Sequence, residues 1–482
     1  MTTVPEVLRT LDQTVGEGPF QASWESLSGY QVPDWYRDAK FGIFVHWGPY
    51  CVAEFGSEWY SRHMYLQGSR EYEHHRKVYG PHDQFGYKDL IPLLTGENFD
   101  PDGWASLFRE AGAQYVVPVA EHHDGFAMYD TALNPWNAVS MGPRRDVIGE
   151  LAAAVRKQSM IFGLSTHRAE HWWFMNGGMG FDSDVRAGGH ADFYGPAQPE
   201  ELPPTPQYLE DWLARTAEVI ERYQPQVLYF DWWIQQPAFK PYLPRLAAYY
   251  YNKAASWQRG PVLAYKHDAF APGTAVYDVE RGASATLRPD PWQADTAVSR
   301  TSWGYVEGHD YKSATDLIAF LVDVVSKNGC LLLNVGPKAD GSIPEPEAEV
   351  LRAIGAWLSV NGQAIYGSRP WVVYGEGPSR VKEGQFTEND QPEYRPADLR
   401  FTTRDGHLYV TALGGADDGR IHIRSLGRNL ALYNQEVGSV HLLGHPEPLE
   451  FERGAQELTV RLPERGADDL LMPVLKIAPA AP

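Results

Sequence analysis

Val227-Leu228-Tyr229-Phe230-Asp231-Trp232-Trp233 puts one carboxylate at the end of a short apolar run, with two indoles directly after it. An apolar run of that length reads as a buried strand. A strand that ends on an acid beside aromatic rings is poorly explained by packing alone. Indole faces next to a carboxylate suit a sugar ring, which has apolar C–H faces and polar edges. Asp231 therefore reads as a nucleophile or base at the mouth of a pocket.

Outward from this stretch the same texture repeats. From about Asp38 to about Ile365, short apolar runs alternate with helix-like segments. The strands predicted are Phe41–Val45, Tyr115–Ala120, Ile161–Ser165, Val227–Phe230, Val262–Tyr265, Ala275–Asp278 and Cys330–Asn334. Helices are expected over Asp102–Ala111, Arg145–Lys157, Gln207–Tyr223, Leu243–Trp257, Ala314–Lys327 and Glu345–Asn361. The first of these opens on Asp100-Pro101-Asp102, an acidic cap and an early proline, as helix N-termini prefer. Strand–helix alternation of this length points to α/β architecture, a (β/α)8-like, TIM-type barrel. After Tyr366-Gly367-Ser368-Arg369-Pro370 the runs become short and alternating, at Leu408–Leu413, Arg420–Ile423, Val440–Leu443 and Leu458–Leu462. This reads as a C-terminal antiparallel β-sandwich. The expected division is 1–367 for the barrel with an N-terminal extension and 368–482 for the sandwich. The sandwich is expected to brace the barrel, and the polar stretch Gly375–Ala397 reads as a long loop.

Active sites of such barrels lie at the C-terminal ends of the strands, which gives the sequence a sharp test. Phe41–Val45 is followed by His46-Trp47-Gly48, and Tyr115–Ala120 by Glu121-His122-His123-Asp124. Ile161–Ser165 is followed by Thr166-His167-Arg168, with Glu170 and His171 close by. Val262–Tyr265 is followed by Lys266-His267-Asp268, and Asp278 by Glu280-Arg281. Together these placements converge on one pocket. Side chains alternate along a strand, so His122 and His123 face opposite sides unless the strand has already ended there. Neutral imidazoles can hydrogen-bond sugar hydroxyls. No HExxH or comparable paired spacing occurs, so no metal is expected, and no cofactor. Glycoside chemistry needs two carboxyl groups. Asp231 is read as the nucleophile; Glu280, Asp278, Asp124, Glu58 and Asp295 are the candidates for the acid/base, with Glu280 preferred because it comes from a later strand end.

A net charge of −20 argues against nucleic acid as a partner, because phosphate binding needs a basic surface. Cys51 and Cys330 lie far apart in apolar surroundings and read as buried thiols. No run of 18 apolar residues suggests a membrane span. The first twenty residues lack the basic start and apolar core of a signal peptide, so a cytoplasmic enzyme is expected. A homo-oligomer is compatible with the sequence.

The segments KFGIFVHWGPY (40–50), SEWYSRHMY (57–65), AGAQYVVPVAEHHDGFAMYDT (111–131), VLYFDWW (227–233), SWGYVEGHDYKSATDLIAFLVDVVSKNGCLLLNVGPKADGSIPE (302–345) and WLSVNGQAIYGSRPW (357–371) resemble, in order, the α-L-fucosidases of glycoside hydrolase family 29. The resemblance implies hydrolysis of terminal α-L-fucosyl residues with retention, by double displacement through a covalent fucosyl-enzyme. It implies a fucosylated oligosaccharide or glycoconjugate as substrate. Asp231 matches the family's nucleophile, and Glu280 in YDVERG is taken as the acid/base. His46, Glu58, Trp59, His122 and His123 match fucose-binding positions, and Trp303 looks like a ring near the fucose methyl group. His167 stands where many members carry tyrosine. Trp233 and Lys266 complete the expected set. Where many members read WE-x-C, this chain has Trp292-Gln293-Ala294-Asp295.

Overall fold

The computed structural model describes residues 3–257, 259–416, 418–463 and 472–480. Eight parallel strands close a barrel in sequence order: β1 (Phe41–Val45), β2 (Tyr115–Glu121), β3 (Ile161–Thr166), β4 (Val227–Phe230), β5 (Val262–Tyr265), β6 (Val276–Glu280), β7 (Trp292–Ala297) and β8 (Gly329–Val335). The ring is completed by β8 pairing with β1, Gly42 opposite Leu332. Seven of these strands fall where the apolar runs predict them.

The period-two alternation of each strand divides two cores. Phe44, Val117, Val119, Val227, Tyr229, Val262, Ala264, Val276 and Leu332 turn inward and fill the barrel. Their neighbours Ile43, Val116, Leu228, Leu263 and Leu333 face outward, in the same core as the surrounding helices. Gly42 is required by this filling, since a Cβ there would sit 2.4 Å from the Tyr115 ring.

The strand absent from the sequence reading is β7. Its outward residues, Trp292 and Ala294, pack with Val324. Its inward residues are polar: Gln293 pairs across the ladder with Asp278, and Asp295 with Glu280. Gln293 Nε2 donates to Asp278 Oδ1 at 2.7 Å, and Tyr36 donates to Gln293 Oε1 at 2.9 Å. A strand that faces a buried polar network on one side loses the apolar run by which it would be recognised.

The helices hold the outside, among them α1 (Val4–Glu17), α2 (Pro101–Glu110), α3 (Val147–Lys157), α4 (Pro206–Tyr223), α5 (Leu243–Ala254), α6 (Ala314–Ser326) and α7 (Glu345–Asn361). The Asp100 side chain accepts from Gly103 N and caps α2 as expected. Among the described residues, no helix is long and apolar enough to cross a membrane.

Two antiparallel sheets follow the barrel. One has the order β13 (Val437–Leu442), β16 (Val474–Pro479), β11 (His407–Ala412), β10 (Leu399–Arg404) and β9 (Arg369–Glu376). The other has the order β12 (Arg420–Ile423), β15 (Leu458–Arg461) and β14 (Phe451–Arg453). Their inner faces share a core of Leu399, Phe401, Val410, Ile421, Val440, Leu458, Val460 and Leu475. A buried ion pair fastens them to the barrel: Arg400 Nε on β10 meets Asp323 Oδ1 on α6 at 2.6 Å, and Lys327 Nζ holds the other oxygen at 2.7 Å. Arg400→Ala is expected to lower the unfolding free energy by about 3 kcal/mol, because it strips one of two cations from a buried carboxylate. Urea denaturation measures this; a change within about 0.5 kcal/mol would be that of an ordinary surface substitution.

Candidate active site

A cavity of about 290 Å³ opens at the C-terminal ends of the barrel strands. Period-two alternation carries the inward direction past each strand end. On β4, Val227 and Tyr229 point inward and Asp231 continues the series; on β1, Phe44 is followed by His46. His46, Glu58, Trp59, His122, His123, His167, Asp231, Glu280 and Trp303 all line the cavity. His122 and His123 both do so because β2 ends at Glu121, after a register irregularity between Val119 and Glu121. Beyond it, alternation no longer applies.

Two expected residues lie elsewhere. Trp233 does not line the cavity. The chain turns after Asp231 with Trp233 at φ 81°, and its ring packs against Trp173 and Phe239. Trp232 takes the place on the cavity wall. Lys266 does not line the cavity either. It is 1% exposed, with Nζ 2.9 Å from Asp278, 3.0 Å from Glu280 and 3.3 Å from Asp295. Burial opposes its charge, but these three carboxyls together hold its pKa well above the ordinary lysine value.

Asp231 lies with Oδ2 3.1 Å from His167 Nδ1 and 3.4 Å from His123 Nε2. Burial alone would raise its pKa. The two imidazoles and the charge of Lys266 outweigh burial and hold the carboxyl well below its ordinary range. His123 is itself shifted toward its charged form. Burial works against its protonation, but Glu170 and Asp231 push its pKa up to about 9, and it keeps a 2.9 Å contact from Nδ1 to the His167 carbonyl. His167 is shifted down by burial, with the Asp231 carboxylate opposing this. Its Nε2 lies 2.6 Å from Ser165 Oγ, and its Nδ1 faces the Asp231 carboxylate.

His46 and His122 are also driven well below the ordinary histidine value by burial. His46 Nδ1 lies 2.6 Å from Asn334 Oδ1, while the Asn334 amide donates to the Trp303 carbonyl at 2.7 Å. The amide oxygen therefore accepts a hydrogen bond from Nδ1–H, and Nε2 of His46 is left as an acceptor. Glu58 accepts from Trp303 N at 2.8 Å and Ser302 Oγ at 3.1 Å, which fixes both the acid and the indole.

Glu280 is raised above the ordinary glutamate value, first by burial and further by the charge of Asp231; Lys266 and the Trp232 N–H oppose this. Trp232 Nε1 donates to Glu280 Oε2 at 2.6 Å. Arg281 is turned away from Glu280. Its guanidinium pairs with Glu388 at 2.6 Å and lies 4.5 Å from the centre of the Trp303 ring. Two groups, His46 with His122 and His167, and His123 with His167 and Asp231, bring ligand atoms within 4.8 Å of one another, a spacing a cation can bridge. In the second group a metal would take up the carboxylate read as the nucleophile.

Several cavity residues escape the sequence reading. Glu170 stands in a short 3-10 turn after β3; burial pushes its pKa up to about 7, and Oε2 lies 3.8 Å from His123 Nδ1. Its proximity in sequence to His167 is the one available signal. Tyr229 forms part of the cavity wall, where its parity with Asp231 would have placed it. Phe386 comes from the stretch 377–398, far along the chain, and nothing in its sequence announces a role. Its presence adds a loop of the C-terminal region to the cavity, beside the bracing role expected of that region.

A polar bowl rimmed by aromatic rings, with Asp231 and Glu280 among the carboxyls at the strand ends of a parallel barrel, is the site of a glycoside hydrolase. Comparison with known proteins makes the assignment specific. The family model for α-L-fucosidase matches residues 7–363. Rat tissue α-L-fucosidase is 31% identical over 418 residues, spanning 84% of this chain and 81% of the relative. Human plasma α-L-fucosidase is 30% identical over 463 residues, spanning 92% and 89%. A crystal structure of Thermotoga maritima α-fucosidase in complex with fucose superposes with a TM-score of 0.76 at 30% identity, covering 95% of this chain and all of the other. The chain belongs to the α-L-fucosidase family. The expectation of a cytoplasmic enzyme does not stand beside these relatives, which are named for tissue and plasma. The lack of a leader pattern in the first twenty residues is no guide to compartment.

Proposed function

We propose that this protein removes terminal α-L-fucosyl residues from fucosylated glycans with net retention. Asp231 attacks the anomeric carbon as the bond to the leaving oxygen breaks, and Glu280 gives its proton to that oxygen. A covalent fucosyl-enzyme results. Glu280, now ionised, takes a proton from water, and the resulting hydroxide displaces Asp231 and releases fucose.

The observation that carries this reading is the divergence of two carboxyls in one cavity. Asp231 is held well below the ordinary range and Glu280 above it. Pairs driven apart by their surroundings divide the nucleophile and acid roles between them. The neutral rings of His46 and His122 are suited to the sugar hydroxyls, and Trp303 offers an apolar face for the methyl group. Proton NMR during hydrolysis of an aryl α-L-fucoside tests the stereochemistry. α-L-Fucose is expected as the first anomer; first appearance of the β-anomer would refute double displacement.

A further inference from the structure

We propose that Phe386 and Trp232 form a platform for the sugar that carries the fucosyl residue, a leaving-group subsite built in part by the C-terminal region. This rests on Glu280 being the acid that protonates the leaving oxygen.

The chain between β9 and β10 runs as a strap along the strand that bears Glu280. Gly384 N donates to Ala283 O at 3.0 Å, Phe386 N to Glu280 O at 2.8 Å, and Glu388 N to Arg281 O at 2.8 Å. The Gln385 side chain accepts from Glu280 N and donates to Asp278 O at 3.1 Å. The Glu388 carboxylate holds Arg281 and Lys312, each at 2.6 Å. These anchors fix Phe386 at φ 57°, a left-handed backbone that is costly for a phenylalanine and persists only where the surroundings impose it.

What the anchors position is an exposed ring. Phe386 is 58% exposed, yet it lines the cavity. Packing within the protein does not account for it, because a ring recruited to a core would be covered. It lies 5.9 Å from the Trp232 ring, with 20° between their planes, so the two faces form one stepped apolar wall. Trp232 in turn donates to the carboxyl of Glu280. A general acid must reach the oxygen that joins the departing group to the sugar under attack. The wall beside Glu280 is therefore where the departing group rests. The fucosyl end of the cavity is dominated by imidazoles and carboxyls, whereas this wall is aromatic and open to solvent. Its chemistry fits a pyranose that presents an apolar C–H face.

The test compares a fucosylated disaccharide with α-L-fucosyl fluoride, whose leaving group has no ring to stack. For Phe386→Ala, the ratio of kcat/KM on the disaccharide to kcat/KM on the fluoride is expected to fall about five- to tenfold, the scale of one lost aromatic contact. Phe386→Tyr is expected to restore it. An equal fall on both substrates would mean that the ring serves the fucosyl end alone, and a fall on the disaccharide accompanied by a displaced alkaline limb of its pH profile would mean that the ring acts only by holding the strap and Glu280; either would overturn the subsite. No fall on either substrate would overturn it as well. A wild-type protein that turned over neither substrate would instead refute the reading of the whole site. Thermal denaturation of Phe386→Ala alongside confirms that the variant is folded, as the exposure of the ring predicts.

Discussion

Asp231→Gly is expected to turn over aryl α-L-fucosides on the order of 10⁴-fold more slowly than the wild type, the scale of removing a residue that forms the covalent intermediate. Added azide is expected to restore turnover, with β-L-fucosyl azide as the product. The reason is spatial. His123, His167 and Lys266 hold an anion in place on the face that Asp231 occupies. Deleting the carboxylate leaves that positive field and a gap for a small anion. Attack from there inverts the anomeric carbon, and the azide product lacks a leaving oxygen for the acid to protonate. Unaltered turnover in the variant, or an α-configured azide, would exclude Asp231 as the nucleophile.

Glu280→Gln is expected to slow release of a sugar leaving group roughly 10³-fold and to slow an activated aryl leaving group much less, as loss of general acid assistance requires. The pH profile separates this from a loss of folding. Asp231 titrates well below the ordinary carboxyl range, so the acid limb of kcat/KM lies at low pH. Glu280 titrates above its ordinary value and must be protonated to act. Activity therefore falls as pH rises through that raised value. The variant is expected to lose this alkaline limb and keep the acid one. Equal losses on sugar and aryl leaving groups would move the role to another carboxyl; Glu170, buried in the same wall and pushed up to about 7, is the next in line.

The legible parts of this protein were those where one physical rule dominates. Barrel strands buried on both faces read as uninterrupted apolar runs, and the residue two past the last inward side chain continues toward the barrel axis. That rule alone places His46, His167 and Asp231. It fails at β7, where Gln293 and Asp295 serve buried partners from other strands, so the sequence shows no run. It fails again at Trp233, where the backbone turns out of strand geometry after Asp231 and exchanges the two indoles. The strap was least legible. Its bonds to Glu280, Arg281 and Ala283 join residues about a hundred positions apart, and its polar composition reads as any solvated loop. Only the fold brings Phe386 to the acid. Lys266 was legible as a charge near the site, but its place beneath the cavity follows from the inward parity of β5.

Lys266 brings a single cation to an enclosure that also holds Asp278, Glu280 and Asp295, all raised by burial. Burial favours the neutral form of each carboxyl, and the single ammonium offsets part of that preference. On the proposed roles, release of a proton from Glu280 to a departing alcohol adds a negative charge beside Asp278 and Asp295. That added charge draws a hydrogen back from the next molecule to arrive at the anomeric carbon. On the proposed roles, the burial that favours a proton on Glu280 also favours its return before the following cycle.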